Sequence, residues 1–256
     1  MRNILLCLQF RGTNYHGYQV QKNALAVATP IQDAIEAVTG KREDIKGCSR
    51  TDSGVHAREY VLNFKTEREI PCRGLKIALN QRLPDDIVVT RCEEVPLSFH
   101  ARYSARGKEY IYQINNGAQR DPFGVDLSYF YPYPLDEEML SREAQYFVGT
   151  HDFKAFCSAG SDIEDTVRTV TYATVERKGD MLYFTVRGDG FLYNMVRIMV
   201  GTLLRIAQGK IGQGEIPEII ASKDRGRAGL TAPAHGLYLN RVFYDAEAFQ
   251  KEDEHV

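Results

Sequence analysis

Apolar and polar positions alternate with a period of two from residue 4 to residue 10, where Ile4, Leu6, Leu8 and Phe10 share a face. That alternation predicts a strand. Arg11-Gly12-Thr13-Asn14 breaks it, and the period then lengthens: Ile31, Ala34, Ile35 and Val38 form the apolar stripe of a helix. Its start is marked by Thr29 as N-cap, Pro30 at the first helical position and Gln32 as capping-box partner, and Gly40 stops it. Tyr60, Leu62 and Phe64 alternate as a further strand, residues 75–82 read as a second helix, and 87–92 as another strand. The first half is a β-α-β-β-α-β-like alternation, compatible with a ferredoxin-like unit.

A second pass through similar elements follows Phe99. Tyr110, Tyr112 and Ile114 alternate, and residues 136–148 are helical with Gly149 at the end. Residues 167–177 and 181–187 flank Lys178-Gly179-Asp180 as a hairpin, residues 191–208 form the longest helix before Gly209, and residues 237–244 close with a strand. The expected fold class is α+β: two ferredoxin-like or RRM-like halves with mostly antiparallel sheets, shared or adjoining, and an active-site cleft between them. The halves are read as domains 1–98 and 99–256, and without a low-complexity linker they are expected to share a sheet or a tight interface.

Composition narrows the classes. No apolar run approaches the roughly 18 residues that span a bilayer, and residues 1–10 are too short and too alternating for a secretory signal, so a cytoplasmic location is expected. Cys7, Cys48, Cys72, Cys92 and Cys157 are odd in number and scattered with no CxxC pair, which supports neither a disulfide framework nor a zinc site. A net charge of −2 gives no global sign of a nucleic-acid binder. Local charge is less neutral, because Lys41, Arg42, Lys46, Arg50 and Arg58 surround the run Arg50-Thr51-Asp52-Ser53-Gly54-Val55-His56-Ala57, and Arg102, Arg106 and Lys108 precede Tyr110. Read alone, these are ordinary surface cations as readily as an RNA-binding patch.

Asp52 sits in a polar loop before a strand, where chemistry tends to be placed on a rigid scaffold. The same Asp-Ser-Gly run could be an Asx-turn that only reverses the chain. His56 is open between a base and a structural hydrogen-bonder. On the last long helix Asn194, Arg197, Gly201, Arg205 and Gln208 fall on one stripe, either facing solvent or lining a cleft with Gly201 admitting another backbone. Tyr110 could equally be a core-facing strand residue. His151 and Asp152 lack a third metal-like neighbour and read as a structural corner.

The run Gly47 to Ala57, GCSRTDSGVHA, resembles the signature of the TruA family of tRNA pseudouridine synthases. The resemblance continues through residues 13–21 (TNYHGYQVQ), 99–102 (FHAR), 107–112 (GKEYIY), 149–153 (GTHDF), 190–197 (GFLYNMVR) and 236–239 (GLYL), in family order over nearly the whole chain. It implies that Asp52 is the catalytic aspartate, Tyr110 the tyrosine facing the target base and Arg197 the cation paired with the aspartate. A carboxylate in this role attacks the sugar's anomeric carbon or the pyrimidine ring, the N-glycosidic bond breaks, and the uracil rejoins through carbon five. A guanidinium keeps the carboxylate charged in a partly desolvated pocket, and Tyr110 offers a stacking face and a hydroxyl. A uridine in a stem must be flipped out. The resemblance gives Arg50 and Arg102 to that task, with Arg58 counted as a third RNA-binding cation, since guanidinium planes stack on bases and bind phosphates. It implies a tRNA partner, a homodimer, no metal and no cofactor, because the isomerisation has no redox or phosphoryl-transfer step.

Departures from the family pattern lie around the site: Arg11 for aspartate, Tyr18 for tryptophan, and Cys48, Ser49 and Ser53 for small residues. They leave open whether the target is the family's uridines 38 to 40 of the anticodon stem-loop, another tRNA position or ribosomal RNA. Two other readings stand beside this one. A non-catalytic protein could hold structured RNA on its α+β units, and a glycoside hydrolase would need a second carboxylate that Asp52 does not evidently have.

Overall fold

The alternation at the N-terminus becomes β1 (Arg2–Phe10), yet Leu5 and Cys7 are as deeply buried as Ile4, Leu6 and Leu8, so this strand is covered on both faces. A computed structural model describes residues 1–160 and 163–245; the stretch 246–256 of the sequence-read second domain lies outside them. The order continues α1 (Ala28–Thr39), β2 (Lys46–Gly47), β3 (His56–Thr66), α2 (Cys72–Asn80), β4 (Ile87–Val95), β5 (Ala105–Asn115), β6 (Tyr129–Phe130), α3 (Glu137–Gln145) and β7 (Gly149–Asp152). It closes with β8 (Val167–Lys178), β9 (Met181–Gly188), α4 (Met195–Ala207), α5 (Ile216–Ser222) and β10 (Leu237–Tyr244). The α+β class and the antiparallel character read from the sequence are both present.

The chain packs as two compact units, Met1–Arg106 with the chain from Leu239, and Gly107–Tyr238. In the first unit β1 lies between β4 and β3, both antiparallel to it, and β2 pairs with β3. The strand order β4-β1-β3-β2 is that of a ferredoxin-like unit, with β2 cut to two residues. One face is covered by α1 and α2 through Ile31, Ile35, Leu75 and Leu79. Across the other run buried amides: Asn3 Nδ2 donates to the carbonyls of Pro96 (2.8 Å) and Phe99 (3.0 Å), Asn63 Nδ2 donates to Asn3 Oδ1, and Asn63 Oδ1 accepts from Ala101 N–H (2.8 Å). Such groups stay buried only when paired, and this pairing ties residues 96–101 to the first unit.

The second unit repeats the scheme. The order β5, α3, β8, β9, α4 parallels β1, α1, β2, β3, α2, and β9 sits between β5 and β8 as β3 sits between β1 and β2. Phe147, Phe153, Phe156 and Phe184 form an aromatic core of mostly edge-on pairs, with Phe147 5.3 Å from Phe156 and 6.5 Å from Phe184. Gly179, with φ +61, makes the hairpin between β8 and β9.

Two expected helix starts are corrected. Thr29 is not the cap of α1: the helix begins at Ala28 behind Val27, with no side-chain cap. Backbone carbonyls of Gly17 and Tyr18 accept the N–H groups of Val27 (3.0 Å) and Ala28 (3.1 Å), partnering donors at the start of the helix. The longest helix starts at Met195 rather than Phe191, because Asn194 turns left-handed with φ 59 and ψ 9. Helix α3 stops at Gln145, three residues before the expected end, whereas its start carries the capping bond, Asp136 Oδ1 accepting from Met139 N–H at 3.0 Å. Helix α5 was not foreseen, although Pro217 near its start and Ile216, Ile219 and Ile220 at helical spacing mark it.

Candidate active site

In the first unit, residues 48–55 link β2 to β3 and carry Asp52 near the tip. Three segments hold this loop. Cys48 N–H donates to Val61 carbonyl (2.9 Å), and the Ser49 carbonyl accepts from the Tyr60 hydroxyl. Thr51 carbonyl accepts from Tyr18 N–H (3.2 Å), and Gly54 N–H donates to Tyr15 carbonyl (3.2 Å). At the far end, the N–H of Gly12 donates to His56 Nδ1 at 2.9 Å in a buried bond. The segment 12–18, part of the motif whose individual roles the sequence did not disclose, is therefore the bracket of the Asp52 loop.

Glycine is required in that bracket. A Cβ on Gly12 would lie 2.0 Å from the Val55 carbonyl oxygen, and one on Gly17, whose φ is +82, would lie 2.6 Å from the Thr51 oxygen. Beneath the loop Tyr18 stacks on Tyr60 with centroids 4.3 Å apart, and a Cβ on Gly47 would meet both rings. Burial first, together with the neighbouring Cys48, pushes the Tyr18 hydroxyl above its usual range, so it remains protonated.

The Asx-turn bond from Gly54 to the Asp52 side chain is replaced by main-chain bonds. Gly54 N–H, the donor that an Asx-turn at Asp52 would use, is bound to Tyr15; the reversal is closed by Val55 N–H donating to the Asp52 main-chain carbonyl at 3.2 Å. Asp52 is half-buried between buried Thr51 and exposed Ser53. His56 is 1% exposed, and a ring nitrogen that accepts from an amide carries no proton, which places the ring proton on Nε2.

Arg50 shares the loop with Asp52, Arg58 is the third residue of β3, and Arg102 follows the segment 96–101 that Asn3 and Asn63 hold; all three are exposed. Arg102 lies over the Tyr103 ring at 6.0 Å. Burial first, then Lys46, and further on Arg102, hold the His100 imidazole below its ordinary 6.5 against the opposing charge of Asp44. Of the other cations near the loop, Arg42 pairs with Asp33 and Glu36, and Lys46 with Asp44.

Tyr110 and Arg197 belong to the second unit. Tyr110 lies on β5, only 7% exposed, with Phe191 edge-on to its ring at 5.1 Å and 79°. Phe191 belongs to the loop that leads into α4. Arg197, one turn into α4, is held from two directions: its Nε donates to Ala232 carbonyl (2.7 Å) and Nη1 to Asn194 Oδ1 (2.6 Å). Ala232 N–H returns a bond to the Arg197 carbonyl at 3.1 Å.

The stripe is covered at its middle, at Gly201, and exposed at its end, at Gln208. Gly201 is buried against residues 229–232, and a Cβ there would lie 1.6 Å from the Leu230 oxygen, while Gly229 N–H bonds Thr202 Oγ1 (2.9 Å). His235 lies in the same segment; burial first, with the Arg197 charge adding to it against Asp126, keeps its imidazole below the ordinary range. The roles of Asn194, Ala232 and His235 were missed. Asn194 had a readable signal, an asparagine directly before an apolar helical run. His151 and Asp152 form the expected corner: Asp152 accepts from Thr166 Oγ1 and Lys154 N–H and pairs with Lys223 at 2.7 Å. Among the described residues, no group of three or more His, Cys, Asp or Glu side chains could hold a metal ion, and no helix is long and apolar enough to cross a membrane.

Comparison with known proteins agrees with the motifs. A protein called tRNA pseudouridine synthase A from Acetivibrio thermocellus is 50% identical over 244 residues, covering 95% of this chain and all of the relative. Proteins of the same name from Thermoanaerobacter sp. and Clostridium acetobutylicum are 48% and 45% identical with the same coverage. A crystal structure of a Cbf5-Nop10-Gar1 complex aligns with 96% of this chain and 52% of that chain at a TM-score of 0.42 and 12% identity, too remote a likeness to bear on the site. The family model described as tRNA pseudouridine synthase matches residues 6–104 and 144–245, and the chain belongs to that family.

Proposed function

We propose that this protein converts uridine to pseudouridine in tRNA, at uridines 38 to 40 of the anticodon stem-loop, with Asp52 as the catalytic carboxylate and Tyr110 and Arg197 as its partners. The observation that carries the reading is the bracing of the Asp52 loop by Gly12, Tyr15 and Tyr18. A rigidly held backbone beside the acid suits a reacting group, since misplacement by about 1 Å costs on the order of 10²-fold in rate.

The chemistry follows from the bond changes. The Asp52 carboxylate attacks the target nucleotide, the N-glycosidic bond breaks, the uracil turns within the site, and a bond forms from the anomeric carbon to carbon five. In attack at the anomeric carbon, the bond from that carbon to Asp52 breaks as the bond to carbon five forms, freeing the carboxylate; carbon five then loses its proton and the former glycosidic nitrogen gains one, restoring the uracil ring. Atoms and electrons balance within the substrate, so the protein's task is to hold and orient. Arg197 favours the anion of Asp52, and Tyr110 stacks on the base with its hydroxyl near the proton that must leave. The target is reached by flipping, with Arg50, Arg58 and Arg102 gripping phosphates or filling the space left by the base. The first domain thus supplies the acid and the RNA grip, and the second the tyrosine and the cation. The working form is a cytoplasmic homodimer.

Incubation with tRNA transcripts, followed by nucleoside analysis and mapping of the modified position, tests this. Pseudouridine at 38 to 40 is expected. Binding without product would leave a non-catalytic RNA-binding protein, and product only in ribosomal RNA fragments would overturn the assigned target.

A further inference from the structure

We propose that Asn194 is a positioning residue for this reaction, fixing the Arg197 guanidinium through a neutral acceptor so that its full positive charge stays directed at the reacting carboxylate. The inference rests on the role given to Arg197 above.

Asn194 stands at the start of α4 and does not act as a side-chain cap. Asparagine is favoured at helix starts because its side chain accepts from the second or third amide of the helix. Here that contribution is forgone, and the backbone adopts φ 59, one of two positive-φ non-glycine residues among those described. Asparagine tolerates this conformation better than most residues, but it is still less favourable than the ordinary one. The side chain is used elsewhere. Arginine only donates, so the amide oxygen must face it; Oδ1 accepts from Arg197 Nη1 at 2.6 Å, and Nδ2 donates to Ser158 Oγ at 3.0 Å. Ser158 N–H in turn donates to the Tyr193 carbonyl (3.1 Å), closing a ring of contacts around the entry to α4.

The chemistry of the acceptor decides why it is an amide. Asn194 and the Ala232 carbonyl both orient the guanidinium, and both are neutral. An aspartate could form the same bond, but its charge would cancel much of the field that Arg197 exerts on another carboxylate. An asparagine in a left-handed turn therefore supplies orientation without neutralisation. The left-handed turn sets the side chain back over the first turn of α4, where Arg197 projects.

Two variants separate this from a purely structural role. Asn194→Gly keeps the positive φ at no steric cost and removes only the side chain; Asn194→Asp is isosteric and adds the charge. Pseudouridine formation on a tRNA transcript is measured as kcat, KM and a pH profile, alongside the melting temperature. Asn194→Gly is expected to melt near wild type while kcat falls on the order of 10- to 10²-fold with KM little changed. Asn194→Asp is expected to move the acidic limb of kcat to higher pH, because the reacting carboxylate loses part of the charge that favours its anion. Full kcat in Asn194→Gly, or an unmoved acidic limb in Asn194→Asp, would overturn the proposal; if the glycine variant does not fold, the aspartate variant decides. Arg197→Ala is the control: if it is active, the reading of Arg197 fails, whereas an inactive Arg197→Ala beside a fully active Asn194→Gly defeats the Asn194 proposal alone.

Discussion

The backbone N–H of Gly12 donates to Nδ1 of His56 across 2.9 Å, joining the turn after β1 to the exit of the Asp52 loop. His56 thus serves the loop as an acceptor. Replacing it with leucine leaves a buried N–H without a partner, which costs about 1–3 kcal/mol. His56→Leu should therefore lower the unfolding free energy by that amount, read as a lower urea midpoint, and, in the folded fraction, lower kcat far less than substitution of Asp52 does. Unchanged stability with abolished turnover would instead make His56 a chemical participant.

The same bracket makes a sharper demand at Gly17. With φ +82 and the Thr51 oxygen 2.6 Å from a Cβ, Gly17→Ala must shift the backbone directly beside Asp52. Turnover should fall by roughly 10²-fold with a smaller change in tRNA affinity, as read by steady-state kinetics and filter binding. Retained kcat would show that the loop's geometry is not critical.

On the second unit, Gly201→Ala places a methyl 1.6 Å from the Leu230 oxygen. Overpacking of this kind costs typically about 1–3 kcal/mol and can cost more. The displaced segment includes Ala232, one of the two braces on Arg197. Calorimetry should show a lowered melting temperature, and kcat should fall beyond what the unfolded fraction explains.

The period-two and helical patterns gave both halves of the fold, and Gly40, Gly179 and Gly209 marked their stops correctly, because burial of one face and the need for a positive φ act locally. The start of α1 was not legible, since the carbonyls that satisfy it belong to Gly17 and Tyr18, whose placement depends on the Asp52 loop. The start of α4 at Met195 was only partly legible: the asparagine before the helical run could be read, but the bond of its side chain to Ser158, 36 positions away, could not. The Asx-turn alternative at Asp52 could not be judged from the sequence, because the partner that Gly54 N–H takes instead, Tyr15, lies 39 positions away. Close backbone approach at Gly201 was one of the two alternatives the stripe left open, and the Leu230 oxygen decides for it.

Acid should destabilise the fold in two windows. His235 is held below its ordinary 6.5 by burial first and then by Arg197, so the unfolded chain binds its proton more readily; stability is lost as pH falls from about 6.5 through the lower folded value. Asp152 is held below 3.8, first by Lys223 and then by Thr166, so its contribution is present above 3.8 and is lost as pH falls through its lower folded value. His235→Gln should flatten the urea midpoint against pH below 6.5, and Asp152→Asn should flatten it below 3.8. Slopes identical to wild type would contradict both assignments.

Asp52→Asn tests the central claim most directly. The substitution keeps the shape of the side chain and leaves the turn intact, since the turn is closed by main-chain bonds. Nucleoside analysis of tRNA after prolonged incubation with Asp52→Asn should show no pseudouridine above background, while filter binding shows affinity within severalfold of wild type. Pseudouridine formed at the wild-type rate by Asp52→Asn would remove the carboxylate, and with it the account of how this site works.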